Sequence, residues 1–108
     1  MSNARAKGRR YELKMKEMLE ADGWEVELVK GGTGWQKSTD FFGWADVIAI
    51  HPKRPITLLA QCKGGKRWYL PSKAERALIA RYTAFGSHIR CEWWAWRDRV
   101  KEPRIMQL

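Results

Sequence analysis

The chain has 108 residues, enough for one compact domain with its own core and too few for two ordinary ones, so a single domain over residues 1–108 is expected. Twenty-one Lys and Arg against twelve Asp and Glu leave a formal charge of +9, spread over most of the length, which favours a polyanionic partner, nucleic acid ahead of an anionic membrane surface. No apolar run approaches the roughly 20 residues of a spanning helix, and the N-terminus lacks the apolar core of a signal peptide. A soluble, intracellular, cytoplasmic protein is therefore expected. Two cysteines, Cys62 and Cys91, are too few for a disulfide framework and have no zinc-site spacing, so both read as reduced core residues.

From about Ala4 to Asp22 the apolar spacing predicts a helix that Gly23 stops. Ala4, Gly8, Tyr11, Met15, Met18 and Leu19 form its apolar arc, and Glu12 sits at the border of that arc beside Arg5, Arg9 and Lys16. WEVELV, residues 24–29, alternates as a half-buried strand. KGGTGWQKSTDFFG, residues 30–43, is Gly-rich and polar with neither period. It lacks the Gly-Lys-Ser/Thr ending of a phosphate-binding loop and leads into no helix, so it either touches substrate or simply links strands.

ADVIAIHPKRPITLLAQCKGG, residues 45–65, reads as a β-hairpin. With PKRP as a four-residue loop, His51 faces Ile56, Ile48 faces Leu59 and Asp46 faces Gln61. Lys63, two beyond Gln61, projects to the same side. LPSKAERALIARYTAFG, residues 70–86, is a helix with a Ser72/Glu75 capping box, a buried stripe of Ala74, Ala77, Leu78, Tyr82 and Phe85, and Gly86 as its stop. HIRCEWWAWR, residues 88–97, is a further strand, and residues 99–108 read as a C-terminal tail. The order is α-β-β-β-α-β. Of the seven tryptophans, Trp35, Trp44 and Trp68 lie near loops and are the ones to test as base-stacking platforms, packing being the ordinary role of the residue.

An Asp at the start of one strand, with an amide and a Lys spaced by one on its neighbour, suits metal-assisted phosphodiester cleavage. Mg²⁺, or Mn²⁺ in its place, takes oxygen ligands, which Asp46, the side-chain oxygen of Gln61 and the backbone carbonyl of Cys62 can supply. Glu12 can complete the set from the helix, directly or through water. The Lys63 ammonium can orient a water or stabilise developing charge. Singly, each residue has an ordinary explanation as a turn, edge or solvated residue; their shared face makes them a candidate site. His51 and His88 lie at strand boundaries, and no spacing supports a Ser-His-Asp or Cys-His nucleophile.

With Glu12 in the helix, Asp46 in WADVIAI, and Gln61 and Lys63 in LLAQCK, the chain resembles the PD-(D/E)xK nuclease superfamily from about residue 4 to residue 97, most closely its small archaeal-type Holliday junction resolvases and their phage-encoded relatives. The resemblance implies an α/β, restriction-endonuclease-like fold, a central mixed β-sheet flanked by helices. It also implies a homodimer that makes paired symmetric cuts in a four-way DNA junction with Mg²⁺ and no small-molecule cofactor, in the cytoplasm on nucleoid or phage DNA. The resolvases usually carry Glu where this chain has Gln61, a ligand without charge, so weaker metal affinity or a rebalanced site is expected. They also use a Ser or a charged residue in the loop before the Asp, which makes Ser38 a catalytic candidate, with Asp40 as the other. Arg5, Lys7, Arg9, Arg10, Lys37, Lys66, Arg67 and Lys73 are the candidates for following a DNA backbone, contacts that give affinity and salt dependence without sequence readout. Two other readings stay open: a nuclease of flaps, nicks or duplex DNA such as the VRR-type domains, and a basic DNA-binding module without catalysis.

Overall fold

The computed structural model describes residues 4–29 and 40–108, with side chains from Arg9 onward within them. Helix α1 (Ala4–Ala21) is followed by β1 (Glu25–Leu28), β2 (Val47–His51), β3 (Arg54–Gly65), α2 (Lys73–Thr83), β4 (Ile89–Arg97) and β5 (Arg104–Gln107). The strands form one sheet in chain order, and every neighbouring pair is antiparallel except β3 and β4, the parallel pair that α2 connects. This is the expected α/β mixed sheet flanked by helices, with one correction. Residues 99–108 are not merely a tail, because β5 pairs with Glu92–Ala95 of β4. Four residues are too few for alternation to stand out; the exposed edge of β4, not the segment's own pattern, makes it a strand. Among the described residues no helix is long and apolar enough to cross a membrane.

β3 deals its side chains alternately to two cores. Leu58, Ala60 and Cys62 meet Tyr11, Met15 and Leu19 of α1, whereas Leu59 packs with Ile79 of α2 and with Cys91, Trp93 and Ala95 of β4. Tyr11, Met15 and Leu19 of the expected α1 arc are buried, but Met18 stays 38 % exposed. The helix closes as Gly23 allows: at φ +95° it lets Trp24 N–H donate to the Leu19 carbonyl (3.1 Å) and its own N–H to that of Glu20 (3.0 Å).

Helix α2 has the expected capping box, Glu75 N–H donating to Ser72 Oγ (3.1 Å) and Ser72 N–H to Glu75 Oε1 (3.0 Å). Its buried stripe is corrected. Ile79 is fully buried, Ala74 and Ala77 are exposed, and Phe85 is 67 % exposed. Turning Ile79 toward the sheet buries far more apolar surface than two alanine methyls would, and it leaves one flank of the expected stripe uncovered.

The hairpin register holds from Val47↔Ala60 through Ile48↔Leu59 to Ile50↔Thr57, but its turn differs from the four-residue loop. His51 pairs with Arg54 instead of Ile56, around a two-residue turn, and the ladder shifts between Ile50 and His51. The irregularity accommodates Pro55, which has no N–H to give a ladder. His51 Nδ1 accepts from Lys53 N–H (3.1 Å), which leaves Nε2–H to donate to the Asp22 carbonyl (2.9 Å) and ties the turn to the end of α1. An ion pair between Arg54 and Asp22 (2.9 Å) reinforces it.

Two aromatic rings close on the end of β3 from opposite faces, which explains the two glycines after Lys63. A Cβ on Gly64 would collide with the Tyr11 ring, and one on Gly65 would sit 2.6 Å from Tyr69 Cε2. Tyr11 is held there by its hydroxyl, which donates to Asp98 Oδ1 at 2.5 Å, and by stacking on Trp96 with centroids 5.5 Å apart. Asp98 N–H in turn donates to the Gly65 carbonyl (2.8 Å). Gly64→Ala should therefore lower the urea midpoint without changing the slope, a loss of about 1–3 kcal/mol typical of overpacking.

Candidate active site

The approach to β2 is a tight turn. Phe41 N–H donates to the Ala45 carbonyl (2.8 Å) and Ala45 N–H to that of Phe41 (2.9 Å), around Phe42 and Gly43, both at positive φ (55° and 79°). Asp40 and Asp46 are the next residues out from this bridged pair, so the turn sets their carboxyls side by side, and they share a hydrogen bond. Asp46 is then fixed to β3: its N–H donates to the Ala60 carbonyl (2.9 Å) and its Oδ2 accepts from Cys62 N–H (3.2 Å).

Gln61 is 6 % exposed. In the amide orientation that satisfies its partners, its nitrogen donates to Asp46 Oδ2 (3.1 Å) and to the Trp44 carbonyl. Lys63, two residues on and exposed, follows on the same side of the strand. Glu12 is half-buried on α1, near enough for its charge to act on both Asp46 and Cys62. The structure thus brings together Glu12, Asp46 and Gln61 with Asp40, and carries Lys63 on the strand that bounds them.

Burial pushes the Asp46 carboxyl up to about 7; the Cys62 N–H opposes this, while the hydrogen bond and charge of Asp40 and the charge of Glu12 add to it. Glu12 is also raised, by burial first, with Arg9 opposing and Asp40 adding. Burial raises the thiols of Cys62, where Asp46 and Glu12 contribute, and of Cys91, pushed up to about 11. Both are free, buried and unreactive, as expected.

Arg9, Arg10, Lys66, Arg67 and Lys73 are exposed. Arg10 lies over the Tyr11 ring (5.3 Å) and Arg67 over that of Tyr69 (5.1 Å), so each cation is steadied on an aromatic face. Ser38, Lys37 and Trp35 lie outside the described residues, as do the side chains of Arg5 and Lys7. Trp44 is corrected: at 4 % exposure it is a core residue under Tyr82 and cannot present a face to a base. Trp68 is half-buried beneath Arg104, 4.3 Å from the guanidinium to the ring centre. Sequence reasoning missed Arg104 because β5 went unrecognised.

The donor set around Asp46 is one of hard oxygens. Among the described residues no three His, Cys, Asp or Glu side chains form a group that holds a metal ion by themselves. Mg²⁺ is ordinarily held by one or two carboxylates, with water and substrate phosphate completing the shell. A partly buried carboxyl, raised by desolvation first and then by two acidic neighbours, is also what a dication would relieve, so the residues fit such an ion.

Among solved structures, the chain is similar to the 1.6 Å structure of Hjc, a Holliday junction resolvase from the archaeal hyperthermophile Archaeoglobus fulgidus. The TM-score is 0.56 and the identity 21 %, over 93 % of this chain and 76 % of that one. The chain has a resolvase-like fold. No protein-family profile and no curated protein matches it. The resolvase-like fold accounts for the frame, the mixed sheet with helices on its faces, and the chemistry of Asp46 and its neighbours is read from their own geometry.

A pH dependence follows. Between about pH 4 and 7 the folded chain retains a proton on Asp46 that the unfolded chain has already released, so stability falls as pH rises through that window. In EDTA, Asp46→Asn should remove this slope and be more stable than wild type at pH 8 by about 2–4 kcal/mol, with the difference vanishing near pH 4. Chemical denaturation across that range measures it.

Proposed function

We propose that the chain is a metal-dependent endonuclease of the PD-(D/E)xK type that resolves four-way DNA junctions by paired cuts, acting as a homodimer. The partly buried Asp46 carboxyl, raised to about 7 and crowded by Asp40, Glu12 and the Gln61 amide, is the observation that carries this reading. The resolvase-like fold and the charge of +9 support it.

Asp46 and Gln61, with Glu12 or Asp40 and the Cys62 carbonyl, would hold Mg²⁺ or Mn²⁺. Such an ion supplies Lewis-acid polarisation of the scissile phosphate. To offer oxygen, Gln61 turns its amide over and gives up its donation to Asp46. The Cys62 N–H continues to hold the Asp46 carboxylate at a fixed angle. Lys63 Nζ orients the attacking water or stabilises charge on the phosphate oxygens as the P–O bond breaks. Arg9, Arg10, Lys66, Arg67 and Lys73 bind backbone phosphates. These contacts read shape and charge rather than sequence, so affinity falls steeply with salt.

One observation favours a second reading. Gln61 donates to Asp46 and brings no charge, which would suit a DNA-binding module without catalysis. Labelled four-way junction, duplex and flap DNA incubated with Mg²⁺ separate the two. Wild type should place paired symmetric nicks in the junction alone, and Asp46→Asn should slow them at least about 100-fold. Equal cutting of flap and duplex would make it a general nuclease. Binding without cutting at any metal concentration, with cleavage appearing only in Gln61→Glu, would leave the module.

A further inference from the structure

The strand register carries the candidate site sideways across the sheet. Lys63 of β3 stands beside Ala95 of β4, which stands opposite Arg104 of β5, so these residues form one row on the face that also holds Asp46 and Gln61. Two strand spacings, about 10 Å, separate Lys63 from Arg104. The segment after β3 crosses this row. Tyr69 lies against Gly65 and its carbonyl accepts from Trp93 Nε1–H (2.9 Å), while Trp68 lies under Arg104, 4.3 Å from the guanidinium to the ring centre. Trp68 is itself packed on the core between the sheet and α2.

Arg104 is exposed and yet held. An arginine that binds an anion ordinarily gives up much rotamer freedom. Seated on a ring that the core fixes, Arg104 has given up part of it beforehand, and the donors at the rim of its guanidinium still face solvent. The stacking also occupies the Trp68 face, so this ring serves the cation and not a base. The acidic residues close to it in sequence turn the other way: Asp98 accepts from the Tyr11 hydroxyl on the α1 side, and Glu102 lines a groove there with Lys14, Glu17 and Trp96. On the face of Arg104 itself stand Lys63, Arg67 over the Tyr69 ring, and Arg97 beside Gly65, all exposed. A lane of cations thus leads from the Asp46 site to the β5 edge, which fits the backbone of a polyanion.

We propose that Arg104, seated on Trp68, binds a backbone phosphate of the DNA strand held at Asp46, about three nucleotides from the phosphate at Lys63. One strand of a duplex rises about 3.4 Å per nucleotide, which sets that count over about 10 Å. The inference rests on the nuclease reading above and adds to it a phosphate subsite that fixes where along the strand the cut falls.

Fluorescence anisotropy with a labelled four-way junction in EDTA, from about 50 to 200 mM salt, tests it. Arg104→Ala should weaken binding at least about 5-fold and flatten the slope of log K against log salt by about 1, as the loss of one phosphate contact does. Arg104→Lys should keep the slope and regain part of the affinity. The side chain is exposed, so the melting midpoint of Arg104→Ala should match that of wild type; should that variant fail to fold, Arg104→Gln, which keeps the stem over the ring, takes its place. Junctions with single phosphates replaced by neutral methylphosphonates locate the contact. One replacement, about three nucleotides from the cut, should weaken wild type and leave Arg104→Ala unaffected. If nothing is cut, the count runs from the phosphate that couples in the same way to Lys63→Ala. An unchanged salt slope in Arg104→Ala, or a scan in which no replacement loses its effect in that variant, would overturn the proposal. So would weaker binding that comes with a lower melting midpoint and an unchanged slope, which makes Arg104 a packing residue. Cleavage keeps the two readings apart. A wild type that shows the coupled phosphate but cuts nothing keeps the subsite and removes the nuclease, and an Arg104→Ala variant that cuts at the same position with an unchanged slope keeps the nuclease and removes the subsite.

Discussion

At the mouth of β2 the Asp46 carboxylate accepts the Cys62 N–H at 3.2 Å while burial and two neighbouring carboxyls oppose its charge. The hydrogen bonds it accepts from the Cys62 N–H and the Gln61 amide do not offset burial and that repulsion, so the carboxyl is pushed up to about 7. The surrounding structure serves this placement. The tight turn at Phe42 and Gly43 delivers Asp40 to its side, the antiparallel register of β2 on β3 delivers Cys62 N–H and Gln61, and α1 delivers Glu12. A one-residue slip of β2 on β3 would turn Asp46 away from Gln61 and send Val47 out of the core.

The close fit around the end of β3 makes that register hard to lose. Tyr11 rests on Gly64 from the α1 face and Tyr69 on Gly65 from the other, and the Tyr11–Asp98–Gly65 hydrogen bonds clamp helix, strand end and the exit of β4 together. The helix that carries Glu12 is thereby fixed through its neighbour Tyr11. The two faces of the sheet are treated differently: α1 covers one with a row of buried large side chains, whereas α2 lies over β4 and leaves β2 and part of β3 open.

Much of this was legible in the sequence where local rules govern. Alternation in β3, the Gly23 stop of α1, the Ser72/Glu75 box and the Ile48–Leu59 register each express one short-range constraint, and with them came the placement of Asp46, Gln61 and Lys63 on one side of the hairpin. What was missed depended on neighbours. Four residues of β5 are a strand only because β4 offers an edge, and Arg104 came with them. The spacing of α2 gave a stripe from Ala74 to Phe85, but the space above Cys91 admits Ile79 better, so the helix turned. Loop composition named Asp40 without showing where it sits; the Phe41–Ala45 bridge is what puts it against Asp46, and Ser38 lies outside the described residues. The amide of Gln61 was visible as a residue, and its donation to Asp46 only as geometry.

The most direct test is whether this oxygen cluster takes up a divalent ion without DNA. Calorimetric titration of Mn²⁺ into wild type, Asp46→Asn and Gln61→Glu should give about one ion per chain for wild type, weaker binding by at least about 10-fold for Asp46→Asn, and tighter binding for Gln61→Glu. Uptake by wild type no better than by Asp46→Asn would contradict the placement of the metal at Asp46.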